Sequence, residues 1–513
     1  MSYRGQEVGP NYDFSGGQAS AKPTDSLELN EATVCKNLIV LPRGRGIRSR
    51  QGDTEFNGTA MNSGANVQGL IYYKQQDADE WLVAVAGAKI FKSEMDGTMD
   101  DITGAITVTA AAANTFTPFV AEDEVIFVGG APDAPFKWTG SGDAAALGGT
   151  PPTGRFGFYH NNRAFIGSPT GNRSRIYWSI LADIEDWSGT GSGNADVHTN
   201  DGDVLVGAAV LNEYLVLLFK ENSIHKLIGR VSPFPTTLFV KGVGAAGKHA
   251  IVNGPDGLVY FITPKGRMAV TDGDSILTEE DLPRIKYADD LWDGLSSTRY
   301  GNIFGISYVG KDFRHIIWCC TNSGATTNNI AIIWDVDNKC WLQNPEGFDC
   351  NVMALTQNGT LYGGHYNGKI YKKDVASTYT DASESSANIK AIWRSGWNPL
   401  GGYMQIKNLD WMNLSIQTQT SGNLSVKFGV DYTPDLLTHN VDITAPGGKW
   451  NQMLWDIDSW GGQDDVLKHV IGVGLRGNVF QYAFDNTNQA QVYQVNGYSI
   501  AGKLSGQKEV STV

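Results

Sequence analysis

The chain has 513 residues, 41% of them apolar and 18% charged, with 61 Gly and 14 Trp. That composition excludes a disordered polymer, and the length suits two or three packed cores. Its net charge of −14 disfavours a protein that grips DNA through the phosphates, though not one past which DNA must slide.

No apolar run reaches the roughly 18 residues of a membrane span. The opening MSYRGQEVGPNYDFSGG has neither the basic start nor the apolar stretch of a signal peptide. Cys35, Cys319, Cys320, Cys340 and Cys350 are odd in number and irregular in spacing, which fits free thiols made in a reducing cytoplasm.

Residues 1–60 read as an extended N-terminal arm, rich in Gly, Ser, Pro and Asp, that ends in the strand-like NLIVLPRGRGIRSRQGD. Arg43, Arg45, Arg48 and Arg50 within it have two readings: a solvated edge or subunit contact, and a phosphate-facing patch.

From residue 61 a unit recurs: an apolar strand, a Gly, Asn or Asp turn, then a second strand ending in an aromatic. Its copies fall at 67–94, 123–140, 154–180, 205–229, 251–273, 304–341 and 352–374. Asp256-Gly257, Asn358-Gly359 and Asn367-Gly368 offer the positive φ that tight hairpins need. A spacing of roughly 35–50 residues brackets a four-stranded propeller blade. The expected fold is therefore all-β, with a β-propeller of six or seven irregular blades over 61–375. One helix is expected inside it at 276–295, capped by Thr278 with Glu279 and Glu280 in the first turn. VASTYTDASESSANI, from residue 375, reads as a polar linker. Beyond it, over 376–513, period-two strands predict a C-terminal β-sandwich that ends in a flexible tail, GKLSGQKEVSTV.

GVGAAGKH (242–249) has the Gly-x-x-x-x-Gly-Lys spacing of a phosphate loop. His249 stands where a magnesium-binding Ser or Thr belongs, and HAIVNGPDGLVYFIT supplies strand and turn where a helix is needed. The stretch is expected to join two blades. The adjacent carboxylates Asp123 and Glu124 do not make a glycosidase pair, because strand neighbours point to opposite faces, and nothing marks Asp335 and Asp337 above the other acidic residues. The eight histidines lack metal-ligand spacing, and no Cys/His nucleophile pattern stands out. No catalytic, metal or cofactor residue is expected, and the chain reads as a non-enzyme.

Three passages resemble the tail nozzle, or head-to-tail stabilisation, proteins of short-tailed bacteriophages. They are FSGGQASAKPTDSLELNEATVCKNLIVLPRGRGIRSRQGD, the central run from EYLVLLFKENSIHKLIG through GVGAAGKHAIVNGPDGLVYFITPKGRMAVTDG, and VIGVGLRGNVFQYAFDNTNQAQVYQVNGYSI. The resemblance implies a structural virion protein, made in the host bacterial cytoplasm. It implies a homo-hexameric ring below the portal and adaptor proteins, in contact with tail fibre or needle proteins. That ring would seal the packaged genome and conduct double-stranded DNA without sequence-specific binding. The alternative is a carbohydrate-binding or depolymerising propeller, which needs aromatic rings and carboxylates clustered at one propeller mouth.

Overall fold

The computed structural model describes residues 6–76, 79–109, 114–130, 132–278, 281–419, 422–444, 466–486 and 491–504. The expected flexible tail, 502–513, is strand over its first three residues, the end of Gln494–Leu504, and from 505 onward lies outside the described residues, as do Glu279 and Glu280.

The apolar runs form four-stranded antiparallel sheets in chain order. Blades one to five span 67–101, 117–146, 156–196, 205–241 and 251–277. Blade six covers 304–344, and blade seven begins at 350. The first strands of successive blades lie against each other, and the ring closes where 350–355 meets 67–74. The propeller therefore has seven blades. Gly257, Gly359 and Gly368 all take the positive φ expected of their turns. Each interface between blades has its own apolar filling. Tyr73, Trp81, Phe116, Phe127 and Trp138 join blades one and two, and Trp318, Trp334 and Trp341 pack against Tyr260 and Met268 between blades five and six. A lone blade would leave both faces wet, so this burial is what drives the blades together.

Blade seven supplies only three strands of its own, 350–355, 361–365 and 370–375. Its fourth is Gly52–Glu55 from the N-terminal segment, with Glu55 opposite Tyr371 and Thr54 opposite Lys372. Two buried ion pairs hold this closure. Lys373 Nζ lies 2.6 Å from Asp53 Oδ2, and Asp53 also accepts from the Ser383 amide and hydroxyl. Burial works to raise the Asp53 carboxyl, but Lys373 and Ser383 outweigh it and hold it below the usual range. Arg50 forks onto Asp381 at 2.8 and 2.5 Å, while its Nε donates to Asn37. The bidentate geometry and the extra acceptors are what make such buried charges tolerable.

The rest of the N-terminal segment is woven into a β-sandwich. One sheet runs 38–40, 47–49, 494–504, 407–417, 466–477, with Gln6–Asn11 also paired to 494–504. The other runs 17–18, 31–36, 392–395, 480–485, 423–430, 433–442. This second sheet continues straight into blade six: Gln18 pairs with Trp341 and Lys36 with Gln343. Propeller and sandwich thus share one ten-stranded sheet and one core, in which Phe14 is fully buried against Trp393.

Three expectations are corrected here. Residues 6–55 are not an extended arm but strands of both modules, because their apolar alternation is used in pairing with residues hundreds of positions away. The polar stretch after 375 is not a free linker, since Asp381 and Ser383 anchor it to Arg50 and Asp53. The 276–295 helix shrinks to a 3-10 turn over Pro283–Ala288 and one α-turn, Asp289–Asp293. Thr278 does not cap a helix, as its amide is bonded to the Asp281 carboxylate.

Removing one partner of a buried pair strands the other charge. Arg50→Ala is therefore expected to cost about 3–5 kcal/mol in urea unfolding, against less than about 0.5 kcal/mol for the exposed Arg43→Ala. Equal losses would show that closure does not lean on the Arg50–Asp381 fork.

Candidate functional site

GVGAAGKH lies between blades four and five, as its flanking strands require, but it does more than connect them. Gly244 runs so close to blade four that a Cβ there would sit 2.2 Å from the Lys220 carbonyl oxygen. A Cβ on Gly247 would approach the Gly301 carbonyl oxygen to 2.7 Å. These close approaches carry Lys248 and His249 in to the axis of the ring. Lys248 Nζ donates across it to the carbonyl of Thr115, and at 3.0 Å to that of Arg155, so one side chain links blades two and three to the loop before blade five. His249 stacks on Phe304 of blade six, with 4.8 Å between ring centroids.

The pair divides the axial space. Lys248 lines a cavity of about 530 Å³ at one mouth. His249 lines an inner one of about 250 Å³, walled by the first strands of blades one, two, six and seven. Burial and the neighbouring Arg155 push the Lys248 ammonium down to about 7. Burial, then Lys248, drives His249 well below the ordinary imidazole range. A neutral Lys248 amine still carries two N–H donors, enough for both carbonyls.

The larger cavity is built by loops of blades two to four and by the segments entering blades five and six. Arg155, Arg173 and Lys248 face it with Glu221 as the single carboxylate, and no aromatic ring is among its lining residues. Ser168, 2% exposed, sits in its wall with φ +57° and a hydroxyl that has no hydrogen-bond partner.

The four sequence-selected arginines do not form one patch. Arg43 and Arg45 are exposed on the turn after Leu41. Arg48 reaches Asp312 at 3.2 Å, and Arg50 is the buried closure residue. The carboxylate neighbours are structural: Glu124 pairs with Lys137, Asp337 with Arg314, and Asp335 accepts the amides of Asp337 and Asn338 in a turn. One association escaped the sequence. Cys350 Sγ lies 3.4 Å from His365 Nε2, which is 2.9 Å from Lys373 Nζ. Spacing gave no hint of it, because the hairpin register brings Cys350 opposite His365. All three side chains are buried, so no substrate reaches the thiol. All five cysteines are free and buried, and among the described residues no helix is long and apolar enough to cross a membrane.

The chain is thus a seven-bladed β-propeller protein with a β-sandwich built onto blade six. No family model and no curated protein matches it. Similar solved structures include a streptogramin B lyase, at 15% identity and TM-score 0.43, covering 63% of this chain and 97% of that one. Virginiamycin B lyase from Staphylococcus aureus is similar at 13% identity and TM-score 0.42, covering 64% and 99%. BamB from Moraxella catarrhalis follows at 11% and 0.37, covering 72% and 100%. Against the expectation of a non-enzyme, lyases stand among the propellers similar to this chain, so the fold gives that expectation no support. At these identities the likeness extends to the fold alone.

The depressed Lys248 has a signature in stability. Between pH 7 and the ordinary lysine value of 10.5 the unfolded chain holds a proton that the folded chain lacks, so this group's contribution to stability rises with pH across that window. Below pH 7 both states are protonated and the penalty is constant. The stability difference between wild type and Lys248→Met, from urea midpoints, is expected to shift in favour of wild type from pH 6.5 to pH 9; a pH-independent difference would contradict it.

Proposed function

We propose that this protein is a structural subunit of a short-tailed bacteriophage tail, one copy of a nozzle-like ring through which double-stranded DNA leaves the capsid. The observation that carries the reading is the single sheet that fuses propeller and sandwich into one rigid block with free edges. Strand 466–477 pairs only with 407–417, and strand 433–442 only with 423–430, among the described residues. Val466 and Val470 are 51% and 66% exposed there, beside the outward Trp411, and Leu436 and Tyr432 are exposed at the other edge. Unpaired edges with apolar side chains are where copies of a subunit join. A rigid block transmits that lateral contact to the whole ring. The resemblance in sequence points the same way, and a net charge of −14 suits a passage that must not hold phosphate.

The carbohydrate reading finds less support. Its requirement was aromatic rings and carboxylates clustered at one propeller mouth, whereas the large mouth is lined by Arg155, Arg173 and Lys248 with one carboxylate and no aromatic ring.

Native mass spectrometry of the purified full chain is expected to show a closed ring, six copies by the resemblance. Val466→Lys with Val470→Lys should reduce it to monomers, with a melting temperature within about 4 °C of wild type, since surface changes cost little. A wild-type protein that stays monomeric at tens of micromolar would overturn the proposal.

A further inference from the structure

The mouth cavity is the most strongly patterned place on the propeller that the tail reading leaves unused. The protein is acidic as a whole, yet this cavity gathers Arg155, Arg173 and Lys248 against Glu221 alone. Arg175, two residues along on the same blade, by contrast grips Asp196 at 2.6 and 2.9 Å. Among the described residues, neither Arg155 nor Arg173 has a carboxylate within ion-pair distance. They face each other closely enough that Arg173, after burial, lowers the affinity of Arg155 for its proton. Like charges held together with only Glu221 to offset them are a cost that the fold maintains, and an anion placed between them reverses it.

The cavity's other features agree. At about 530 Å³ it has the size of a small-molecule site rather than a macromolecular groove. Ser168, buried in its wall with an unpaired hydroxyl, offers a donor of fixed position. Guanidinium forks match the paired oxygens of phosphate and carboxylate, and a bound anion draws Lys248 toward its protonated form, which has a third N–H beyond the two given to carbonyls. The walls are polar, so a ligand bound there is recognised by charge and hydrogen bonding.

We propose that this mouth is a binding site for a compact small-molecule oxyanion of two or more charges, gripped by Arg155 and Arg173 with Lys248 and Ser168 completing the cradle. The site lies within one chain, so it stands or falls independently of ring formation.

Calorimetric titration of the full-length protein at pH 7 and low salt tests it, with inorganic phosphate, citrate and acetate as separate probes. Phosphate or citrate is expected to bind once per chain with Kd below about 1 mM, and acetate at least roughly tenfold more weakly. The phosphate and citrate arms distinguish a phosphoryl from a carboxylate ligand. Arg155→Gln with Arg173→Gln should weaken binding by roughly tenfold or more. Lys265→Gln with Lys311→Gln, the same charge change on exposed loops elsewhere, should leave it unaltered. Both arginines are exposed, so an unchanged thermal melt is expected to accompany the loss. Ser168→Ala provides a third, charge-neutral variant with a smaller expected loss. Absence of saturable binding by either polyanion, or equal weakening by both double variants, would overturn the proposal.

Discussion

A ring of sheets has no natural end, and everything in this molecule depends on how the last blade is completed. Blade seven lacks a fourth strand of its own and takes Gly52–Glu55, so the ring is fastened by a segment that precedes it in the chain. Hydrogen bonds along one short strand would be a weak clasp. The buried pairs Arg50–Asp381 and Lys373–Asp53 make the closure specific, because a shifted register would leave four charges without partners in a dry interior.

The same segment explains why the two modules behave as one body. Before it reaches blade seven it has already paired with the outer strand of blade six and with both sandwich sheets. The core that results contains Phe14, Cys35, Trp393, Phe484 and Tyr498 beside Ile317, Ile333 and Met353 of the propeller. A hinge between modules would have to open this core and break a continuous sheet. A load on the sandwich therefore bears on the propeller directly, which is the mechanical property the proposed ring subunit needs.

The repeat and the turn glycines were legible in the sequence because each blade is a local unit, and so was the C-terminal alternation. What was not legible is non-local. The N-terminal strands look like an arm since their partners lie far along the chain, and Ser and Asp in the 375–388 stretch look like linker residues until Arg50 and Asp53 meet them. The expected helix does not run on from Thr278 because Pro283 has no amide N–H to donate within a helix interior and stands instead at the start of a new turn. GVGAAGKH was correctly placed between blades, but the position of Lys248 at the axis depends on the curvature of the whole ring. The cationic mouth has a related origin: Arg155 and Arg173 come from one blade, whose hairpin bonds the Arg155 amide to Gly167, and Lys248 reaches them only from the loop before blade five. The buried Cys350–His365 contact was hidden for a simpler reason, since it depends on a hairpin register.

The clasp also fixes an order of events at the ribosome. Asp53 emerges 320 residues ahead of Lys373, so the strand that completes the ring is made long before the blade it completes. Blades one to six can stack as they appear, each on the last, whereas the early strand has no partner until nearly the whole propeller exists. The first-made part of the structure is thus among the last to find its place. Until then the open ring presents raw edges at both ends, at the stage when neighbouring chains of the same protein are most able to mispair with it.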